Sequence, residues 1–296
     1  MTKPTILGAG SCVIEILLDG VRALSSNEER FDFIMSLDAP TGRERIPDDA
    51  LAACELVIEE ASPWKRQHAL SDEERDKLPS TCEVLRVPTI HFNSLWPLMI
   101  ADPRNTPDPP DAPWGRLPFP MGDRLALSVM NGSKDTRERL SAYWTTDLHS
   151  VVNVGRNHEL ELTDMFAREV GCDIQIAAYV AANFKQRRLF YMHHHPTPEL
   201  ITFALIQILS KQPVRRIMNR PLTAVITDAP NWIAERRPFP GADAPIHPAV
   251  AKFFDLSWYR DDMTYHWLGV DYTFEDWIAF YINYEPSVQQ NTAEDK

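Results

Sequence analysis

The sequence predicts an α/β fold in which a parallel sheet with flanking helices forms the N-terminal part and a largely helical segment forms the rest. Three observations carry this. Over residues 1–100, apolar runs of strand length alternate with helical patterns, the order that builds parallel βαβ units. Beyond a proline-rich stretch the apolar spacing changes to the helical period. A chain of 296 residues with 44% hydrophobic content can also bury a sizeable core.

The first strand spans 4–9, and its apolar run breaks at Gly8 and Gly10 before resuming at helical spacing over 11–24. Strands follow at 31–37 and 54–59, then a helix near 63–78 and a strand over 82–92. From 101 to 121 the chain carries Pro103, Pro107, Pro109, Pro110 and Pro113, which rules out a regular element and predicts a crossing loop held down by Trp114. Helical spacing then covers 122–131, 134–145, 158–182 with a break near Gly171, and 198–210. Residues 122–285 are thus expected to be mainly helical, with Trp232, Trp258, Trp267 and Trp277 in a folded C-terminal portion, and 286–296 to form a frayed polar tail.

Composition narrows the function classes. No apolar run approaches the roughly 20 residues that span a bilayer, and the N-terminus lacks the pattern of a signal peptide, so no membrane insertion and a cytoplasmic location are expected. Cys12, Cys54, Cys82 and Cys172 are scattered, which favours reduced thiols over a disulfide framework or a zinc site. A net charge of −12 repels nucleic acid. Two local clusters of cations stand against that background: Lys185, Arg187 and Arg188, then Lys211, Arg215, Arg216 and Arg220. The first suits a compact polyanion such as a nucleotide phosphate, or equally a solvated face with ion pairs.

Two segments carry the chemistry. Glycines at the first strand-to-helix bend allow positive φ and close approach of a ligand, and the helix behind them points unpaired N–H groups at the bend. Gly8 and Gly10 are therefore expected to contact a cofactor, and Ser11 and Cys12 to sit in a field that eases thiol ionisation. Cys12 is a nucleophile on this reading and Ser11 an alternate nucleophile or oxyanion donor, although a small buried cysteine would look the same. The second segment is His193-His194-His195-Pro196, a bend between the apolar run 189–192 and a helix opening at Thr197. Imidazole moves protons near neutral pH, which marks His195 as a general base and His194 as a ligand contact; capping or core-satisfying histidines remain the plain alternative. No further ligand cluster accompanies them, so no metal is expected. His91 and Asn93, just beyond the carboxyl end of a strand, lie where open α/β sheets collect ligands and are assigned to substrate binding. Asp147 with His149, and the cluster Arg156 to Glu159, are short polar patterns of low specificity. Gly8-Ala9-Gly10 lacks the third glycine of a dinucleotide fingerprint, and no phosphate-binding loop of the ATPase type occurs.

Together these segments resemble the WcbI-type capsular polysaccharide biosynthesis proteins, a family of coenzyme A-dependent acetyltransferases. The resemblance runs over about residues 5–210: Gly10-Ser11-Cys12-Val13 against Gly-Asn-Cys-Gln, Cys54 to Ile58 against an Asp- and Val-rich strand, Pro88 to Phe92 leading to Trp96-Pro97 against a segment leading to His-Pro, and Arg188 to Tyr191 followed by His194-His195-Pro196-Thr197 against a run ending in Asn-His-Pro-Thr. Ser11, Val13, Trp96 and His194 depart from it, so that Cys12, His195 and Pro196 alone carry over as matching functional positions. The resemblance implies an SGNH-like first βα turn, acetyl-coenzyme A as co-substrate with no metal, and a sugar or glycan hydroxyl as acceptor. Lys185, Arg187 and Arg188 then become phosphate contacts. An SGNH-like esterase or deacetylase, and a non-catalytic coenzyme A- or glycan-binding protein of a polysaccharide assembly complex, stay open as alternatives.

Overall fold

The computed structural model describes residues 3–37, 45–61, 70–104, 119, 121–132, 135–236, 239, 243–267 and 269–284. Its first part is β1 (Thr5–Gly10), α1 (Cys12–Ser25), β2 (Asp32–Leu37), α2 (Asp48–Ala52), β3 (Cys54–Ala61), α3 (Asp72–Arg75) and β4 (Glu83–Pro88). The four strands form one parallel sheet in the order β2-β1-β3-β4. Strand alternation sends Ile6, Leu56, Ile58, Leu85 and Val87 into one hydrophobic cluster, and Leu7, Ala9 and Val57 into a second cluster with Ile46, Leu51 and Leu70. Both faces are therefore covered.

Two differences from the sequence reading have local causes. The strand expected over 82–92 stops at Pro88: β3 ends at Ala61, whose carbonyl takes the Thr89 N–H, and beyond that the Thr89 and His91 carbonyls accept from Arg168 and the Phe92 N–H donates to His193. The helix expected near 63–78 is described only as Asp72–Arg75, opened by a capping box between Ser71 and Glu74; residues 62–69 lie outside the described residues.

The chain continues through β5 (Met99–Ala101) and β6 (Met121–Asp123), which pair antiparallel with Ala101 opposite Met121. Residues 105–118, Trp114 among them, and the tail 286–296 lie outside the described residues. Helices α4 (Arg124–Gly132), α5 (Thr136–Thr145), α6 (Leu148–Val151), α7 (Val154–Arg168) and α8 (Ala177–Asn183) follow. The helix expected over 158–182 is α7 and α8, parted around Gly171 at φ +81°, with the Asn153 side chain capping α7 earlier than the apolar pattern announces.

Next come the hairpin β7 (Phe190–Met192) and β8 (His195–Pro196), then α9 (Pro198–Ser210), α10 (Gln212–Ile217), α11 (Leu222–Arg236), α12 (Pro248–Phe254), the hairpin β9 (Tyr265–Trp267) and β10 (Val270–Tyr272), and α13 (Phe274–Asn283). Helix α9 buries Leu200, Ile201, Ala204, Leu205, Ile208 and Leu209, and packs with α11 against α1. A single cluster of buried side chains runs from Ile6 to Ile282, so the helical part shares the core of the sheet.

Candidate functional site

Because the sheet is parallel, β1, β3 and β4 all end at the same edge. At the end of β1, Gly10 takes φ +155°, and a Cβ there would stand 2.7 Å from both Glu60 Cβ and Ile14 Cγ1. Only glycine fits that bend. The Ser11 N–H then donates to Glu60 Oε2 at 2.9 Å, while the Ser11 carbonyl accepts from Ile14 and Glu15 and starts α1. Gly8 sits further back in β1, where a side chain would meet Met35 Sδ at 2.8 Å and Leu18 Cδ2 at 2.9 Å. Its small size serves the close packing of α1 on the sheet and sets it inside that interface instead of at the edge.

The thiol of Cys12 differs from the expectation of an easily ionised group. Burial, then the carboxylates of Glu60 and Glu15, push it up to about 11, outweighing the backbone hydrogen bonds at Cys12 and Val13 that favour the thiolate. At neutral pH it rests protonated. Glu60, a buried carboxylate at the end of an apolar strand, escaped the sequence reading; the pair Glu59-Glu60 closing Leu56-Val57-Ile58 was the available signal.

Beyond β4 the backbone is held by Arg168, the last residue of α7. Its buried guanidinium donates to the carbonyls of Thr89 at 3.3 Å and His91 at 3.2 Å, and to Glu161 Oε1 at 3.0 Å, and it pairs with Asp164. His91 Nδ1 lies 3.4 Å from the same Glu161 oxygen. Burial alone would raise the Glu161 carboxyl, but His91, Arg168 and the backbone at Asn93 together hold it below its ordinary value. The Asn93 carbonyl accepts from the Trp96 N–H at 2.8 Å. Neither Glu161 nor Arg168 carried a sequence signal, since their partners lie on a distant loop.

The histidines form the connection of the β7–β8 hairpin: Met192 pairs with His195, which leaves His193 and His194 as the turn. The His193 carbonyl accepts the Phe92 N–H at 2.7 Å, docking the hairpin on the loop after β4. The His193 ring stands edge-on to His91 with centroids 5.2 Å apart, His194 Nδ1 lies 2.8 Å from His193 Nε2, and the His195 ring stacks on Phe239 at 4.4 Å. Burial, with His91 and His195 adding to it, pushes His193 down to about 3, so this ring stays neutral. Thr197 does not cap α9 with its side chain; its hydroxyl donates to the Arg188 carbonyl.

The structure thus joins His91, Asn93, Glu161 and the three histidines in one cluster, and Gly10, Ser11, Cys12 and Glu60 in another. Both lie at the carboxyl edge, the first at β4 and the second at β1 and β3. Strand spacing sets the ends of β1 and β4 about 10 Å apart. Of the expected phosphate contacts, Lys185 is exposed, and Arg187 is exposed but paired with Glu199 at 2.7 Å. Arg188 is engaged differently: both terminal nitrogens bond Asp243, and the guanidinium lies over the rings of Tyr191, Trp258 and Tyr265. That places it in the packing of the hairpin. A further pair unforeseen in the sequence, Ser94 Oγ and His158 Nδ1 at 2.8 Å, is enclosed by Phe92, Phe184 and Phe254; burial, then Lys185, lowers the His158 value. Among the described residues no group of three or more His, Cys, Asp or Glu is arranged to hold a metal ion, and no helix is long and apolar enough to cross a membrane.

The comparisons agree with this architecture. One solved structure, described as the native form of WcbI, a polysaccharide biosynthesis enzyme, without a disulfide bond between coenzyme A and one of its cysteines, superposes with a TM-score of 0.64. The match covers 96% of this chain and 91% of that one at 17% sequence identity, which shows a shared α/β fold. No curated protein matches. The family described as polysaccharide biosynthesis enzyme WcbI matches residues 20–215, which include His91, Arg168 and His193 to His195 and begin after the Gly10–Cys12 bend. With about two thirds of its length matched, this chain belongs to the WcbI polysaccharide biosynthesis enzyme family.

Proposed function

We propose that the protein transfers an acetyl group from acetyl-coenzyme A to a sugar hydroxyl of a polysaccharide precursor, at the carboxyl edge of the sheet. What supports this reading is the placement of the Gly10–Cys12 bend at the end of β1 and of the histidine hairpin on the loop that follows β4, two strands of one parallel sheet that end at the same edge. The coenzyme A named for the similar WcbI structure supports the choice of donor, and the family's biosynthetic role supports a saccharide acceptor. Lys185 and Arg187, exposed beside the hairpin, are the phosphate contacts on this reading.

The protonated resting state of Cys12 favours direct transfer over a covalent acetyl-enzyme. His195 takes the proton from the acceptor hydroxyl as its oxygen attacks the thioester carbonyl carbon. First-turn N–H groups of α1, with the Ser11 hydroxyl, stabilise the oxyanion, a contribution of roughly 3–4 kcal/mol per donor in acyl transfer. The C–S bond then breaks, and the imidazolium returns its proton to the departing coenzyme A thiolate. Ser11 N–H itself is held by Glu60 and orients the bend.

Calorimetric titration with coenzyme A and acetyl-coenzyme A, with NAD as control, tests the donor. Heat from the two thiol-related ligands and none from NAD is expected; no heat from either removes the reading. Release of free thiol that requires an added saccharide, and that His195→Ala abolishes, tests transfer. Prompt hydrolysis of p-nitrophenyl acetate without coenzyme A binding would instead identify an esterase.

A further inference from the structure

A cavity of about 50 Å³ lies behind the histidine hairpin, between the loop after β4 and the C-terminal elements. Its walls include Trp96, Trp267, Phe274, Trp277 and Met192, and its ionisable lining side chains are Asp123 and His247. Asp123 Oδ1 accepts the Ala126 N–H at 2.8 Å and Oδ2 accepts the Tyr143 hydroxyl at 3.2 Å. With the Leu125 backbone also against this carboxyl, about three of the roughly four lone-pair directions of a carboxylate are used and one is left. His247 Nδ1 accepts the Ala249 N–H at 3.0 Å, which leaves the ring proton on Nε2 as a donor. Burial holds the ring neutral by pushing it down to about 4, and pushes the Asp123 carboxyl up to about 6.

An acceptor and a neutral donor set among aromatic walls complement an alcohol, whose O–H both donates and accepts while its carbon atoms pack on the rings. The volume is several times the minimum of about 10–15 Å³ that holds a water molecule and suits a group of two or three heavy atoms. A whole hexose ring exceeds it. We propose that this cavity anchors a saccharide acceptor by its primary hydroxymethyl group, with Asp123 accepting the hydroxyl proton and His247 Nε2–H donating to its oxygen. The identity of the ligand as a saccharide rests on the acyl-transfer reading above.

The cavity is tied to the proposed chemistry through the backbone. Met192 in its wall immediately precedes His193; the Ala244 N–H donates to the Tyr191 carbonyl at 2.8 Å, and Trp96 Nε1 donates to the Ala244 carbonyl at 3.1 Å.

The full-length protein is titrated with the methyl glycosides of glucose, galactose and mannose, each beside its 6-deoxy counterpart, read by tryptophan fluorescence and saturation-transfer NMR. At least one hexoside is expected to bind, and its 6-deoxy partner to bind about tenfold more weakly or worse. Asp123→Asn is expected to erase that difference while leaving the coenzyme A titration unchanged. Equal binding of a hexoside and its 6-deoxy partner overturns the proposal, as does a variant that keeps the discrimination, or a protein that binds coenzyme A and none of the hexosides. Discriminating hexoside binding by a protein that takes no coenzyme A keeps the subsite and removes only the donor. If Asp123→Asn fails to fold, the paired titrations of the unaltered protein decide.

Discussion

The Phe92 N–H donates to the His193 carbonyl at 2.7 Å, and this bond fastens the histidine hairpin to the loop at the carboxyl end of β4. Phe92 is buried against Phe190 of β7, so the bond lies in a dry setting where an unpaired N–H or carbonyl would be costly. The hairpin therefore has one seat on the sheet edge. Its three imidazoles gain their position relative to β1 from that seat and from Arg168, which holds the same loop from the other side.

Gly10→Ala tests the bend. The new Cβ would stand 2.7 Å from Glu60 Cβ and Ile14 Cγ1, at a φ that side chains rarely adopt. A loss of about 2–4 kcal/mol in urea unfolding is expected. A loss below 0.5 kcal/mol on that same scale would show that the bend relaxes without cost.

Glu60→Gln keeps an acceptor for the Ser11 N–H and removes the negative charge beside Cys12. The thiol should fall below about 11, and alkylation of Cys12 by iodoacetamide at pH 8, followed by peptide mass spectrometry, should accelerate roughly three- to tenfold. An unchanged rate would mean that the Glu60 charge does not govern the thiol and that burial and Glu15 do.

Arg168→Met removes a guanidinium that pairs with Glu161 and Asp164 and bonds two loop carbonyls. Leaving Glu161 buried without that partner should cost about 3–5 kcal/mol. In the double variant with Glu161→Gln the loss should be smaller than the sum of the two single losses, as a denaturation cycle measures.

Acid should destabilise the protein through its buried histidines. His193 and His247 are held down at about 3 and about 4, against an ordinary value of about 6.5 in the unfolded chain. Their contribution is complete above pH 6.5 and is lost as pH falls toward their folded values, because the unfolded chain takes up protons first. Asp123, raised to about 6, works in the opposite sense between about pH 6 and 4, so two groups oppose one and the net effect is loss. His247→Gln should reduce the fall in stability between pH 7 and pH 5 by about 1–2 kcal/mol, measured from urea midpoints. An identical fall in the variant would locate the acid sensitivity elsewhere.

Much of the fold was legible in local patterns. Strand 4–9, the bend at Gly10 and the helix behind it appear as β1 and α1, with Gly8 inside the strand, and the run 198–210 appears as α9, because strand alternation and helical spacing are properties of neighbouring residues. The hairpin of the histidines looks like a simple bend in the sequence, since two short strands that pair across a two-residue turn leave almost no periodicity. Helices α10 to α13 lie within the segment 122–285 that the sequence marks as mainly helical, but local spacing does not place them one by one; α11 even contains Pro230, a residue that normally argues for a break. Within the candidate site, residue types that carry chemistry were visible at Ser11, Cys12, His91 and His193 to His195, while Glu60, Glu161, Arg168, Asp123 and His247 were not, because each matters through partners far along the chain.

By itself the sequence determined the alternation of strands and helices in the first part of the chain, the glycine bend and the supply of thiol and imidazole groups, all of which follow from side-chain chemistry and spacing along the backbone. Tertiary structure alone decided which of them meet and in what state: Cys12 became a protonated thiol beside Glu60, His193 a neutral ring, and Arg188 a partner of Asp243. The physical reason is that ionisation and pairing depend on burial and on charges a few ångströms away, and those neighbours are brought in by packing of the whole chain.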